Sequence, residues 1–290
     1  YGSNHALATV LHAPRIGLVP DVALFPQPPS RAAVLGLAAT LAHAAHVTDV
    51  LHWSTLPFRF AALSLRARRP DDPALVMAPG GATPLGALGY VLAGFELADQ
   101  VRAGELPAPR GVIVGVGSNA TTAGLLLGFV LAARAGIGFA TPPRVVAVRV
   151  TPWPVTSRLR ILSLAARTSR LLAERSGDPS AAVAMGELSA YLEVDGRYLG
   201  RGYGHPTQAG RDALELFTKL GLFELDTTYS AKVVSGFIAA VRRDEPGPLL
   251  YWSTRSTAPL PAPRPDGLER APRRMRAWLE HAARRLELAP

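Results

Sequence analysis

The segment Gly115-Val116-Gly117-Ser118-Asn119-Ala120-Thr121-Thr122-Ala123-Gly124 has the residue types of an anion cradle. It follows the apolar run Gly111 to Val116 and opens an apolar stretch that continues to Ala135. Where a strand turns into a helix, several backbone N–H groups have no intrahelical partner and the helix dipole favours a negative charge. Glycine admits close approach of the anion, and Ser and Thr add hydroxyl donors. No Gly-Lys-Ser/Thr follows, so this is not a P-loop, and the spacing is not that of a dinucleotide fingerprint. The competing reading is a plain turn capped by Ser118 or Thr121.

Other loops have similar punctuation. Gly80 to Tyr90 is Gly-rich and leads into a helix, with Thr83 placed as N-cap and Pro84 at the first helical position. Ser3-Asn4-His5 precedes a small-residue helix that its polar groups could cap, or they could face a ligand. Tyr203 lies between Gly202 and Gly204, and Tyr229 stands beside Ser230 at a helix entry. A loop tyrosine donates a proton if a nearby cation lowers its phenol pKa; otherwise it is a half-buried packing residue. His205 has neither a carboxylate nor a second histidine at metal-ligand spacing. There is no cysteine, and of 31 basic residues only Lys219 and Lys232 are lysines.

Elements that would hold these loops alternate along the chain. Short apolar or β-rich runs are expected at 21–25, 46–51, 74–78, 111–116, 144–150 and 248–252. Helical stretches are expected at 6–13, 32–45, 85–103, 122–135, 157–176, 208–220 and 231–242. Such alternation predicts an α/β protein with a mostly parallel sheet, and 290 residues suffice for one large or two medium domains. A boundary is expected near 69–80. The net charge of +9 does not point to nucleic acid, because the arginines are spread along the chain. The densest group, Arg255 to Arg285, reads as a surface helix with Leu268, Met275, Trp278, Leu279, Ala282 and Leu286 on one side. The longest apolar run, Ala123 to Ala133, is far short of the ~20 residues a spanning helix needs.

Taken in order, five motifs resemble one family. They are Ser3-Asn4-His5, Gly80-Gly81-x-x-Pro84-Leu85-Gly86-Ala87-Leu88-Gly89-Tyr90, Gly117-Ser118-x-x-Thr121-x-Ala123-Gly124-Leu125, Tyr203-Gly204-x-Pro206-Thr207 and Asp226-x-x-Tyr229-x-x-Lys232. The chain is similar to the family of 1-aminocyclopropane-1-carboxylate (ACC) deaminase and D-cysteine desulfhydrase. These are pyridoxal-phosphate enzymes of the tryptophan synthase β-like fold type II. The resemblance implies two open α/β domains, expected at 1–77 and 78–290, with the cofactor between them. It also implies a small amino-acid substrate, a homodimer, a cytoplasmic location, and neither a nucleic-acid nor a membrane partner.

Residue by residue, the resemblance places Ser3 at the substrate carboxylate and Asn4 beside the cofactor's phenolic oxygen. Gly117, Ser118, Asn119, Ala120 and Thr121 become the phosphate loop, and Tyr203 and Tyr229 the active-site pair. Ser230 and Thr254 stand where desulfhydrases tend to carry a hydroxyl. That favours β-elimination from a small D-amino acid over ACC deamination, with a non-catalytic metabolite- or partner-binding protein as the rival of another class. Asn119 and Ala120 replace the two central glycines of the family's loop; Ala tolerates left-handed backbone angles poorly, so a reshaped cradle is expected. Arg255 is expected to bring bulk and charge to the ring's edge. The family's Schiff-base lysine lies in a Gly-Gly-Asn-Lys segment upstream of the serine-asparagine-histidine motif. Lys219 and Lys232 match other positions, so the sequence is expected to lack its N-terminal part and to be inactive alone.

Overall fold

The computed structural model describes residues 1–66, 74–256, 258–260 and 265–287. In chain order its elements begin with α1 (Asn4–His12), β1 (Asp21–Leu24), α2 (Arg31–His43), β2 (His46–Asp49), α3 (Leu56–Arg66) and α4 (Pro84–Arg102). Next come β3 (Gly111–Val116), α5 (Ala120–Arg134), β4 (Arg144–Arg149), α6 (Arg158–Ser176), α7 (Met185–Ala190) and β5 (Leu192–Asp195). The last are α8 (Gln208–Lys219), α9 (Ser230–Arg242), β6 (Leu249–Trp252), α10 (Pro265–Arg270) and α11 (Arg273–Arg285). Most of the long helices start on a Ser or Thr whose hydroxyl accepts from the N–H three residues on: Ser3, Ser30, Thr83, Ser157 and Thr207. Thr83 and Pro84 take the cap and first-turn positions expected of them. Among the described residues no helix is long and apolar enough to cross a membrane.

The chain forms two compact units, Tyr1–Ala78 with Ser256–Pro290, and Pro79–Arg255. In the first, β1 and β2 pair in parallel from Asp21↔His46 to Leu24↔Asp49. Leu7, Val10, Val22, Leu24, Leu37 and Leu41 form its core together with Met275. Met275 is why the C-terminal segment groups here rather than with the larger domain expected at 78–290. The amphipathic side of α11 finds its apolar partner on α2 and α1, far away in sequence. The strand expected at 74–78 is irregular, and Leu75 stays largely exposed: an apolar run with no neighbour to pair with gains nothing from extension.

The second unit is built on a parallel sheet in the order β5-β4-β3-β6. Its central strand is buried along its whole length, as strands covered on both faces are. Val112, Val114 and Val116 pack into the cluster that contains α5 and α6 residues; Ile113 packs into the one that contains Val233 and Ala240 of α9. β4 divides in the same way, with Val145 and Ala147 against Val146 and Val148. β5 and α7 were not expected: Leu-Glu-Val-Asp is too short and too polar to signal a strand outside its sheet. β3 has β4 on one side and β6 on the other. Ligands of open α/β sheets bind outside the carboxyl ends of such strands, which here is the turn that follows β3.

α4 and α5 cross closely because glycines line the contact. A Cβ on Gly94 would lie 3.0 Å from Gly128 Cα, and one on Gly128 would lie 2.6 Å from the Val91 carbonyl oxygen. Gly128→Ala is therefore expected to lower unfolding free energy by about 1–3 kcal/mol in urea titrations. Gly89→Ala, in α4 but with nothing within 4 Å, is expected to be neutral or to stabilise by up to about 1 kcal/mol. Equal effects at both positions would contradict the close crossing.

Candidate active site

The candidate site is built around the turn between β3 and α5. Asn119 is the N-cap of α5, but its side chain caps nothing: its amide donates instead to the Val155 carbonyl, 3.1 Å away. Asn119 also takes the left-handed conformation, at φ 80°. Ala120 is already the first helical residue, so the loop needs no left-handed alanine. Ala120 thereby escapes left-handed strain, which Asn119 takes instead. The capping reading for Ser118 or Thr121 fails: α5 has no side-chain cap at all. Two buried polar atoms without a partner lie at this helix start, Asn119 Oδ1 and Thr122 Oγ1, the latter on a fully buried residue.

Three neighbours hold the turn. Thr151 and Thr156 hydroxyls both donate to the Gly117 carbonyl, at 3.2 and 2.5 Å. Ser118 Oγ donates to the Gly80 carbonyl at 3.2 Å, which brings the two Gly-rich loops together. Gly80 is at φ 65°, and a Cβ there would lie 2.2 Å from Ser118 Cβ. Tyr229 closes the third side: a Cβ on Gly117 would stand 2.1 Å from the Tyr229 hydroxyl oxygen.

Tyr229 is placed by Asp226. The Asp226 carboxylate accepts the N–H groups of Thr228, Tyr229 and Ser230 at 2.9, 2.7 and 3.1 Å, capping the start of α9. Ser230 Oγ donates to the same carboxylate at 2.7 Å and accepts from the Asp226 N–H at 2.6 Å. The Ser230 hydroxyl is thus committed to the cap. One turn further on, Lys232 is fully buried and its Nζ donates to the carbonyls of Leu199 and Gly202, both at 2.9 Å. Those carbonyls precede Tyr203, whose ring meets Tyr229 edge-on with centroids 6.0 Å apart.

The electrostatics of this pair are the reverse of an activated phenol. Burial first, then the Asp226 charge, pushes Tyr203 up to about 12. Burial, then Tyr203 and Asp226, pushes Tyr229 well above the ordinary phenol range. The condition for an activated phenol, a cation that lowers its pKa, is not met: burial and the Asp226 carboxylate both act to raise it. Both side chains are neutral donors at physiological pH.

Ser3 and Asn4 belong to the first unit; the Ser3 hydroxyl accepts from the Ala6 N–H at 3.2 Å, and Asn4 is exposed. Thr254 is exposed just beyond β6. Arg255 bonds to the Glu224 carbonyl and carboxylate at 2.8 and 2.9 Å, so its charge is partnered within the fold. Sequence reasoning missed Thr151, Thr156 and the structural roles of Asp226 and Lys232. The signals available were the position of Thr151 just past a strand's carboxyl end, and an Asp three residues ahead of a helix entry.

A family model described as pyridoxal-phosphate dependent enzyme matches residues 2–249. The nocardicin C-9' epimerase of Nocardia uniformis subsp. tsuyamanensis is 32% identical over 262 residues, covering 88% of this chain and 73% of the epimerase. The D-cysteine desulfhydrase of Salmonella paratyphi C (strain RKS4594) is 28% identical over 183 residues, 62% of this chain and 49% of that enzyme; the one of Salmonella newport (strain SL254) is 30% identical over the same span. The match thus spans about half the length of these desulfhydrases. A solved ACC deaminase homologue superimposes with a TM-score of 0.59 at 24% identity, covering 86% of this chain and 69% of the other. The fold is the α/β fold type II that the motifs led one to expect.

The raised phenols fix a sign for alkaline titration. A group whose pKa is higher in the folded state contributes stability that is complete below the unfolded phenol value of ~10 and lost as pH rises through the folded pKa. Absorbance at 295 nm should show no difference between the unchanged chain and Tyr203→Phe below about pH 10. The missing phenolate should appear only above it. A Tyr203 phenolate formed by pH ~9 would contradict the burial argument.

Proposed function

Because this chain belongs to the pyridoxal-phosphate dependent enzyme family, in the group of ACC deaminases and D-cysteine desulfhydrases, we propose that it serves β-elimination from a small D-amino acid, releasing ammonia and a 2-oxo acid. The observation that carries the reading is the half-buried tyrosine pair, with Tyr229 held against the β3–α5 turn. The turn suits the cofactor's phosphate. Its helix start is uncapped, and it has an unpartnered buried hydroxyl on Thr122. Gly117, Ser118, Asn119, Ala120 and Thr121 would hold that phosphate. When bound, pyridoxal phosphate supplies an electron sink for the charge that develops on the substrate's α-carbon.

The chain's own residues would orient the substrate and move protons. Tyr203 and Tyr229, as neutral phenols, donate hydrogen bonds to the substrate or protonate it, and their burial excludes water from that point. Ser3 would bind the substrate carboxylate, Asn4 would lie beside the cofactor's phenolic oxygen, and Thr254 would supply the late hydroxyl. Neither Lys219 nor Lys232 holds the cofactor covalently in this reading. Lys219 pairs with Glu215 at 2.8 Å, and Lys232 is committed to two backbone carbonyls.

A second reading is epimerisation at the α-carbon, favoured by the epimerase, which matches more of the chain than the desulfhydrases do. ACC deamination is the remaining alternative within the group.

Borohydride reduction of the chain with pyridoxal phosphate, followed by peptide mass spectrometry, should leave Lys219 and Lys232 unlabelled; a label on either overturns their exclusion. A Gly-Gly-Asn-Lys sequence encoded just before Tyr1 supports the enzyme reading, and a start codon there counts against it. In protein with its cofactor held covalently, D-cysteine should yield sulfide, ammonia and a 2-oxo acid. Tyr203→Phe or Tyr229→Phe should lower kcat by roughly 10²–10⁴-fold. Exchange of the α-deuteron with solvent, without sulfide release, would favour epimerisation instead.

A further inference from the structure

Lys232 takes no part in the steps above, yet its ammonium is wholly buried and hydrogen-bonded. Its two partners, the Leu199 and Gly202 carbonyls, belong to a turn with little rigidity of its own. Gly200, Gly202 and Gly204 stand at φ 62°, 126° and 77°, conformations glycine adopts at a high entropic cost. The backbone bonds that close the turn are long: Gly202 N–H to Leu199 at 3.4 Å, and His205 N–H to Gly202 at 3.3 Å. They end on the same two carbonyls that the ammonium binds. Tyr203 follows directly, and its ring meets the Tyr229 ring carried one turn before Lys232.

The opposing charge that faces the amine is Asp226, the carboxylate that caps the same helix. Burial pushes the Lys232 amine down to about 8, against the pull of Asp226, so it is still largely protonated at neutral pH. A buried cation left unpaired would be costly; here the carbonyls take the place of its water shell.

We propose that Lys232 is a positioning residue, an internal ammonium that gathers the Leu199 and Gly202 carbonyls and thereby fixes Tyr203 against Tyr229. Its consequence for catalysis rests on the role given to the tyrosine pair; its effect on the turn does not. An apolar side chain of the same length would fill the space but leave the carbonyls unbound, which separates positioning from packing.

The test follows amide hydrogen exchange of residues 199–204 in the 290-residue chain. In Lys232→Met these amides should exchange roughly tenfold faster or more, with cooperative unfolding retained. In Lys232→Ala, millimolar n-propylammonium should restore protection, and tetramethylammonium, which has no N–H, should not. Unchanged protection in a folded Lys232→Met chain overturns the proposal, and so does a Lys232→Ala chain indifferent to the amine. Should both variants fail to fold, the ¹⁵N-labelled unchanged chain decides. Slowly exchanging Lys232 Nζ protons support the tether, and rapidly exchanging ones reject it. Tyr203→Phe should leave the turn's protection unchanged whatever it does to turnover, so a failure of the catalytic reading is seen separately.

Discussion

The carboxylate of Asp226 is the point on which the candidate site hangs. It accepts three consecutive N–H groups at the start of α9 and the Ser230 hydroxyl as well. A helix start leaves donors that must be satisfied, and a charged acceptor satisfies several at once while meeting the positive end of the dipole. The cap sets the angle at which α9 enters the sheet face. From that angle follow the Tyr229 hydroxyl against Gly117 and the depth to which Lys232 reaches. Burial, with a smaller contribution from the same charge, keeps both phenols protonated.

Around it the second unit acts as a rigid mount. β3 is covered on both faces, so each odd–even switch of its side chains is spent on packing against a different helix layer. What is left for chemistry is its carboxyl end, where the chain turns before α5. There Gly117 is pinned through its carbonyl by two threonines and pressed from the other side by Tyr229. Only a residue without a Cβ fits between them, and Asn119 absorbs the backbone reversal that follows. The uncapped helix start stays available to an anion.

Much of the fold was readable in advance. The helices at 84–102 and 158–176 announce themselves by their caps and apolar periods, and the valine-rich runs at 111–116 and 144–149 by their β-branched residues. β5 was not readable, because four residues of mixed polarity become a strand only when a neighbour offers hydrogen bonds. The C-terminal helix was readable as amphipathic, but its apolar side says nothing about which core it will join. The site was legible as loops in order. Thr151, Thr156 and Lys232 were not, because their partners lie dozens of residues away or are backbone carbonyls with no mark in the sequence.

Two kinds of information thus separate. The order of the motifs, the count of lysines, the caps and the strand–helix alternation were set by the chain itself, because they depend on residue type and local spacing. That placed the protein among pyridoxal-phosphate enzymes and singled out a candidate phosphate loop and a pair of tyrosines. Tertiary structure alone decided that Ser230 serves a helix cap, that Arg255 is partnered, and that Ala120 escapes left-handed strain. It also decided that the two phenols stay neutral and that Lys232 ties one tyrosine's turn to the other's helix. Those outcomes depend on burial and on distances across the fold, and a pKa or a buried hydrogen bond has no value until the surrounding chain has displaced the water.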